Sequence, residues 1–169
     1  MVIVTFGGKT PRLARSALVA DTACLIGDVQ VGENASIWPG VVIRGDMAPI
    51  RVGSNSHIED NAVLHGPASI GDNSMVGHSC VVEGRIGSNT LVANGAAVLF
   101  DANIGDLCLI AAKAVVLENM TVPDRSFIAG VPATIRGEVT EHHIELIRYY
   151  LSYYVGLVEE YKRQGIWSR

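Results

Sequence analysis

Three side chains able to bind a metal or move a proton fall within a short window: His65, His78 and Glu83. Glu59 stands just ahead of them, and Arg44 and Asp46 stand before that. Imidazole and carboxylate are ligands for a divalent ion such as zinc, and they also serve as general acid and base. His65 and Glu83 are eighteen residues apart, and each directly follows an aliphatic residue, Leu64 or Val82. Whether that spacing brings them together depends on the elements that carry them.

The window is written on a beat of six. Val52, Ile58, Leu64, Ile70, Val76 and Val82 recur at that interval, and Ser56, Ala62, Ala68, Ser74 and Cys80 supply a small residue four places after each complete one. Neither a helix nor a flat strand has this period. It describes a short strand plus a turn, repeated so that three repeats close a triangular coil of eighteen residues, in a β-helix over roughly residues 13 to 133. Side chains eighteen apart then sit on one face of adjacent coils, about 4.8 Å apart along the axis, within reach of one ion. Arg44 follows Ile43 in the coil before, so Arg44, His65 and Glu83 form a column.

The beat breaks twice. RGDMAPIR inserts three extra residues between Ile43 and Val52, read as a loop projecting from a corner. After Val82, a step of only four leads to Ile86, which restarts the beat through Val92, Val98, Ile104, Ile110 and Val116. His78 lies thirteen residues after His65, hence on another face of the prism. It meets His65 and Glu83 only if prisms pack side by side, as in a cyclic trimer. The competing reading is that all three are ordinary polar residues on a solenoid wall. Arg44 and Asp46 likewise either clamp the inserted segment or offer fixed charge near an anion. His57, His142 and His143 show no such coupling and read as surface or helix-start residues.

The chain has 169 residues and a net charge of −4 at pH 7, with no cluster of basic and aromatic residues, so nucleic acid is not an expected partner. No apolar run reaches membrane-spanning length and the N-terminus has no secretory pattern, so no membrane partner and a cytoplasmic location are expected. Cys24, Cys80 and Cys108 are widely spaced without CxxC, and two occupy small inward positions of the repeat, as core residues would. From Thr140, a plausible N-cap, Ile144, Ile147, Leu151, Tyr154, Val158 and Tyr161 recur at helical spacing, and Gly165 is a reasonable stop. The organisation is therefore a β-helix domain over 1–137 and an amphipathic helix over 138–169, packing on its own prism or on a neighbouring subunit.

The segments IWPGVVIRGDMAPIRVGSNSHIEDNAVLH, VGHSCVVEG and AGVPA resemble the γ-class carbonic anhydrases over nearly the whole chain. The resemblance implies a left-handed parallel β-helix of hexapeptide repeats with a C-terminal α-helix, an all-β solenoid assembled as a homotrimer. It also implies metal sites at subunit interfaces and hydration of carbon dioxide to bicarbonate by metal-activated water. Carried over residue by residue, His65 and His78 are ligands, and Glu83 stands where the family has its third histidine. Arg44 and Asp46 match the family's RGD segment, and Glu59 replaces a glutamine of an IQD segment. The chain is also one residue shorter than the family just after Glu83. The implied metal set is His65, His78 and Glu83, with Arg44, Asp46 and Glu59 as catalytic-site residues. The cofactor is a divalent metal, Zn(2+) first, with Fe(2+) or Co(2+) as alternatives. Two rival readings are a hexapeptide-repeat acyltransferase using a coenzyme A thioester, and a non-catalytic trimeric metal-binding scaffold.

Overall fold

A computed structural model describes residues 1–167; Ser168 and Arg169, the end of the expected 138–169 segment, lie outside the described residues. The chain winds through about seven turns of a parallel β-solenoid. Most strands are only two residues long, the second pointing into the prism and the first pointing out, as in Val63–Leu64 and Val81–Val82. A two-residue strand cannot order itself. It is held by the coils above and below and by its inward aliphatic, and Ile58, Leu64, Val82, Val98 and Ile110 are all fully buried.

The three walls differ in what they turn outward. The first carries Cys24, Val42, Val63, Val81, Ala97 and Val115 in register. The second carries Arg12, Gln30, Arg51, Ser69, Arg85, Asn103 and Thr121, a polar surface suited to water. The third carries Leu18, Ser36, His57, Met75, Leu91, Leu109 and Phe127. That apolar third wall is where the C-terminal helix Glu141–Arg163 docks. Ile144, Ile147, Tyr154 and Val158 join Leu18, Trp38, Met75, Leu91 and Leu109 in a second core outside the prism. Trp38 receives the edges of Tyr154 and Tyr161 at 5.4 and 5.2 Å between ring centres. Thr140 caps the helix, accepting from the His143 amide, while the His143 ring accepts from the Thr140 amide.

The RGDMAPIR segment does not form the projecting loop that its extra residues suggest. It lies within one long strand, Val42–Val52, paired with Cys24–Val31. Gly27 faces Gly45 and Val29 faces Ile50, so the four residues 46–49 bulge opposite Asp28 alone, a surplus of three. Pairing resumes because Ile43, Ile50 and Val52 all keep their places in the core. At the second break the corner is shortened by two residues. Leu64 and Ser69 are joined by four residues, whereas Val82 and Arg85, their partners one coil on, are joined by Glu83 and Gly84 alone. Gly84 is required there, since a Cβ would stand 2.3 Å from the Ala102 carbonyl oxygen.

Among the described residues, no helix is long and apolar enough to cross a membrane. Cys80 and Cys108 are buried and unbridged, as core residues, and burial pushes the Cys80 thiol up to about 11. Gly84→Ala should destabilise the fold by roughly 2 kcal/mol or more, because backbone must move to admit the methyl group. Gly156→Ala, with open space at the helix surface, should leave stability unchanged or raise it by about 0.5–1 kcal/mol. Urea unfolding of the two variants checks the contrast.

Candidate metal and proton-transfer site

The first-wall corner carries the expected column. The Arg44 guanidinium donates to Asp46 Oδ2 through Nη2 at 2.9 Å and Nε at 3.3 Å. His65 Nε2 lies 3.4 Å from the other oxygen of Asp46, Oδ1, and His65 Nδ1 lies 3.6 Å from Glu83 Oε1. Four side chains from three successive coils thus run in line as Arg44, Asp46, His65 and Glu83. The Arg44 hydrogen bond holds the Asp46 carboxyl below the usual carboxylate range, against an opposing effect of desolvation. Its Oδ1 is nonetheless buried without a hydrogen-bond partner among the described residues.

His78 does not join that column. It stands at the corner after the third wall, with Nε2 3.0 Å from Glu59 Oε2 and Nδ1 3.1 Å from Asp60 Oδ2. The His78 amide also donates to Glu59 Oε2 at 3.1 Å. Glu59 is only 5% exposed, and burial raises its pKa although His78 and the Tyr154 hydroxyl favour its charged form. The carboxylate in turn raises the Tyr154 phenol, on top of the larger effect of burial. Tyr154 belongs to the C-terminal helix, so the helix reaches across the third wall to this cluster. Beside it lies a cavity of about 750 Å³ between wall and helix, lined by Glu59, His78, Met75, Leu91, Tyr150 and Tyr153 among others.

One histidine departs from its expected place. His57 is fully buried, where a surface position is expected from the sequence. It points outward from the third wall but lies beneath the helix, stacked on Tyr154 with 5.5 Å between ring centres. The Ser36 hydroxyl accepts from Trp38 Nε1 at 2.7 Å and sits 2.8 Å from His57 Nδ1, while His57 Nε2 has no hydrogen-bond partner among the described residues. His142 and His143 do lie at the helix start. Asp60 and Tyr154 are functional neighbours the sequence did not single out. Asp60 directly follows Glu59, and Tyr154 lies on the apolar seam of the helix, but neither position signals contact with the His78 corner.

The residues fit a divalent ion in part within one chain. Two donor atoms of one tetrahedral zinc, each about 2.0–2.1 Å from the metal, are roughly 3.3 Å apart, and His65 Nδ1 and Glu83 Oε1 stand at nearly that separation, 3.6 Å. Among the described residues, no three histidine, cysteine, aspartate or glutamate side chains of one chain form a complete metal-holding group. The imidazole and carboxylate of the column are two donors near ligand spacing, short of a complete metal-holding group among the described residues.

Residues 49–84 match the family described as bacterial transferase hexapeptide (six repeats). A carbonic anhydrase of Geobacillus kaustophilus is 48% identical over 64 residues, 38% of this chain and 35% of that protein. The mitochondrial gamma carbonic anhydrase 3 of Arabidopsis thaliana is 51% identical over 57 residues, 34% of this chain and 22% of that protein. These matches span only about a third or less of the curated relatives. Over nearly the full length, the chain is similar to the crystal structure of a hexapeptide transferase family protein from Anaplasma phagocytophilum. The two are 34% identical with a TM-score of 0.91, covering 95% of this chain and 98% of that one.

The buried imidazole gives the fold a pH dependence. Desolvation lowers the His57 pKa from 6.5 to about 4, so below pH 6.5 the unfolded chain takes up a proton that the folded chain refuses. The contribution is complete above pH 6.5 and is lost as the pH falls through the folded value, on the order of 3 kcal/mol in all. Denaturant unfolding at pH 7 and pH 4.5 should show a steeper loss in the parent than in His57→Gln, which has nothing to titrate at this position.

Proposed function

The chain belongs to the hexapeptide-repeat family of left-handed β-helices, and from that premise we propose a γ-carbonic-anhydrase-like metalloprotein. Its reaction is the reversible hydration of carbon dioxide to bicarbonate, at a site shared between subunits of a homotrimer. The observation that carries the reading is the pair His65 and Glu83, with ring nitrogen and carboxylate oxygen at the separation two ligands of one ion adopt. The matches to carbonic anhydrases add weight to it.

The ligand set is completed by His78 of a neighbouring copy, because His78 stands at a different corner from His65 in its own chain. The first wall supports this assembly. It turns an aliphatic column outward beside the His65 corner, and Val81, Phe100 and Leu117 remain 38%, 40% and 48% exposed. A neighbour seated there buries apolar surface and brings its own third-wall corner to the column.

When bound, a divalent ion, zinc foremost with Fe(II) or Co(II) as alternatives, supplies Lewis-acid activation of a water molecule. His65 and Glu83 hold it from one subunit and His78 from the next. Glu59 accepts the proton on the His78 side, and its burial makes it a stronger base than an exposed carboxylate. Arg44 fixes Asp46 and with it the bulged strand beside the ligands. The Glu83 carboxylate lowers the net positive charge of the site relative to three imidazoles, so water is acidified less and turnover at neutral pH is reduced.

A second reading draws support from His78 itself. An imidazole 3.0 Å from a buried carboxylate resembles the base of an acyltransferase, and the adjoining cavity has room for an acyl acceptor. Elemental analysis, stopped-flow hydration of carbon dioxide and turnover of acetyl coenzyme A on the same preparation separate the two. Stoichiometric metal with hydration supports the first, and acetyl transfer without hydration replaces it with the second. Metal without either activity would leave a binding scaffold.

Glu83→Gln should weaken metal binding at least tenfold by removing the anionic ligand, whereas Glu83→His should bind metal and hydrate carbon dioxide faster at neutral pH. Metal titration and stopped-flow rates provide the check, and a fully loaded Glu83→His protein no faster than the parent would count against the ligand change as the limit. Light scattering should report a trimer at micromolar concentration; a stable monomer with metal bound would rule out the shared site.

A further inference from the structure

Arg44 and His65 approach opposite oxygens of Asp46, which gives this carboxylate more to do than clamp a bulge. The guanidinium takes Oδ2 alone. Oδ1 is buried and has no hydrogen-bond partner among the described residues, an arrangement that costs free energy unless some state of the protein fills it. The nitrogen facing it is His65 Nε2 at 3.4 Å, a few tenths of an ångström beyond an N–H···O bond, while the ring's other nitrogen faces Glu83. A neutral imidazole carries its hydrogen on one nitrogen only, and a ring whose Nδ1 is a metal ligand must carry it on Nε2. That hydrogen points at the one orphaned acceptor of the corner.

We propose that Asp46 is a positioning residue for His65: its Oδ1 takes the Nε2 hydrogen, fixes the ring tautomer and aims Nδ1 at the position shared with Glu83. The inference rests on the metal reading above for its consequence, and on the structure alone for the tautomer. It separates Asp46 from Arg44, which a pure clamp would not. Losing Arg44 loosens Asp46 but keeps the Oδ1 acceptor and removes a nearby positive charge, so it should cost cation binding less than losing the carboxylate. Losing Asp46 frees the ring.

The test compares Asp46→Ala with Arg44→Ala in the full-length protein, by zinc competition against a chelator and by the ¹⁵N signature of His65 at alkaline pH. Asp46→Ala should bind zinc about 10–100-fold more weakly, Arg44→Ala should lose clearly less, and only Asp46→Ala should lose the Nε2–H tautomer. Asp46→Asn, which keeps the shape and an acceptor, should fall between and serves if the alanine variant does not fold. Equal losses in both alanine variants, or an unchanged affinity in Asp46→Ala, would overturn the proposal. If the parent binds no zinc, the metal reading fails by itself and the tautomer decides: Nε2–H in the parent and not in Asp46→Ala upholds Asp46 as the orienting group, and the same tautomer in both refutes it.

Discussion

Every strand of the prism depends on the coil above and the coil below. A two-residue strand makes too few hydrogen bonds to offset the entropy of its own ordering, so register is set by the inward aliphatics stacking one on another. Leu64 beneath Val82 is one such contact, and it places His65 beneath Glu83. The His65–Glu83 pair therefore inherits its spacing from core packing rather than from any contact of its own. The two Cα positions are preorganised, since the aliphatics that fix them, Leu64 and Val82, are fully buried.

The same constraint explains what was legible in the sequence. The six-residue beat reveals the coil, and counting along it puts Arg44, His65 and Glu83 on one edge, as the structure has them. Less legible was anything decided by a surface outside the prism. His57 and His65 each neighbour a core aliphatic, but His57 precedes Ile58 on the third wall and His65 follows Leu64 at a corner, so the helix over the third wall buries the first and leaves the second half-buried. A signal was present: the outward residues Met75, Leu91, Leu109 and Phe127 are large and apolar, while the corresponding positions of the second wall are Ser69, Arg85, Asn103 and Thr121. Sorting outward positions by wall identifies the face the helix needs. Period alone does not, because it reports only which residues point inward.

The extra residues after Ile43 show the opposite error. An insertion in a repeat is expected to leave the body, but here Ile50 is as buried as Ile43 and pulls the chain back into pairing at once. Gly27 and Gly45 make this possible, because a side chain on either would strike the opposite backbone. Confined to a bulge between paired segments, Asp46 is held against Arg44 and His65 instead of swinging with a loop. The carboxyl at the far corner is held differently, by the helix. Tyr154 spans from the His57 ring to Glu59, so docking of the helix and the environment of His78 are parts of one packing arrangement.

The carboxylate at position 83 and the short corner beside it belong together. The Glu83 amide donates to the Val98 carbonyl at 2.8 Å, and its own carbonyl accepts from the Asp101 amide at 3.2 Å, so its backbone is tied to the next coil on both sides. The turn that follows consists of Gly84 alone before Arg85 re-enters a strand, and it cannot shift to re-aim a side chain. An imidazole has two rotatable bonds and a fixed ring, so its nitrogen lands where the backbone sends it. A glutamate has three, and either oxygen can serve. On a corner this short and this firmly held, the extra rotatable bond lets Glu83 reach His65 over a wider range of Cα positions than a ring allows. Charge and geometry then pull in different directions at one residue: the carboxylate reaches His65 where the corner is tight, and it makes any ion held there a weaker acid catalyst.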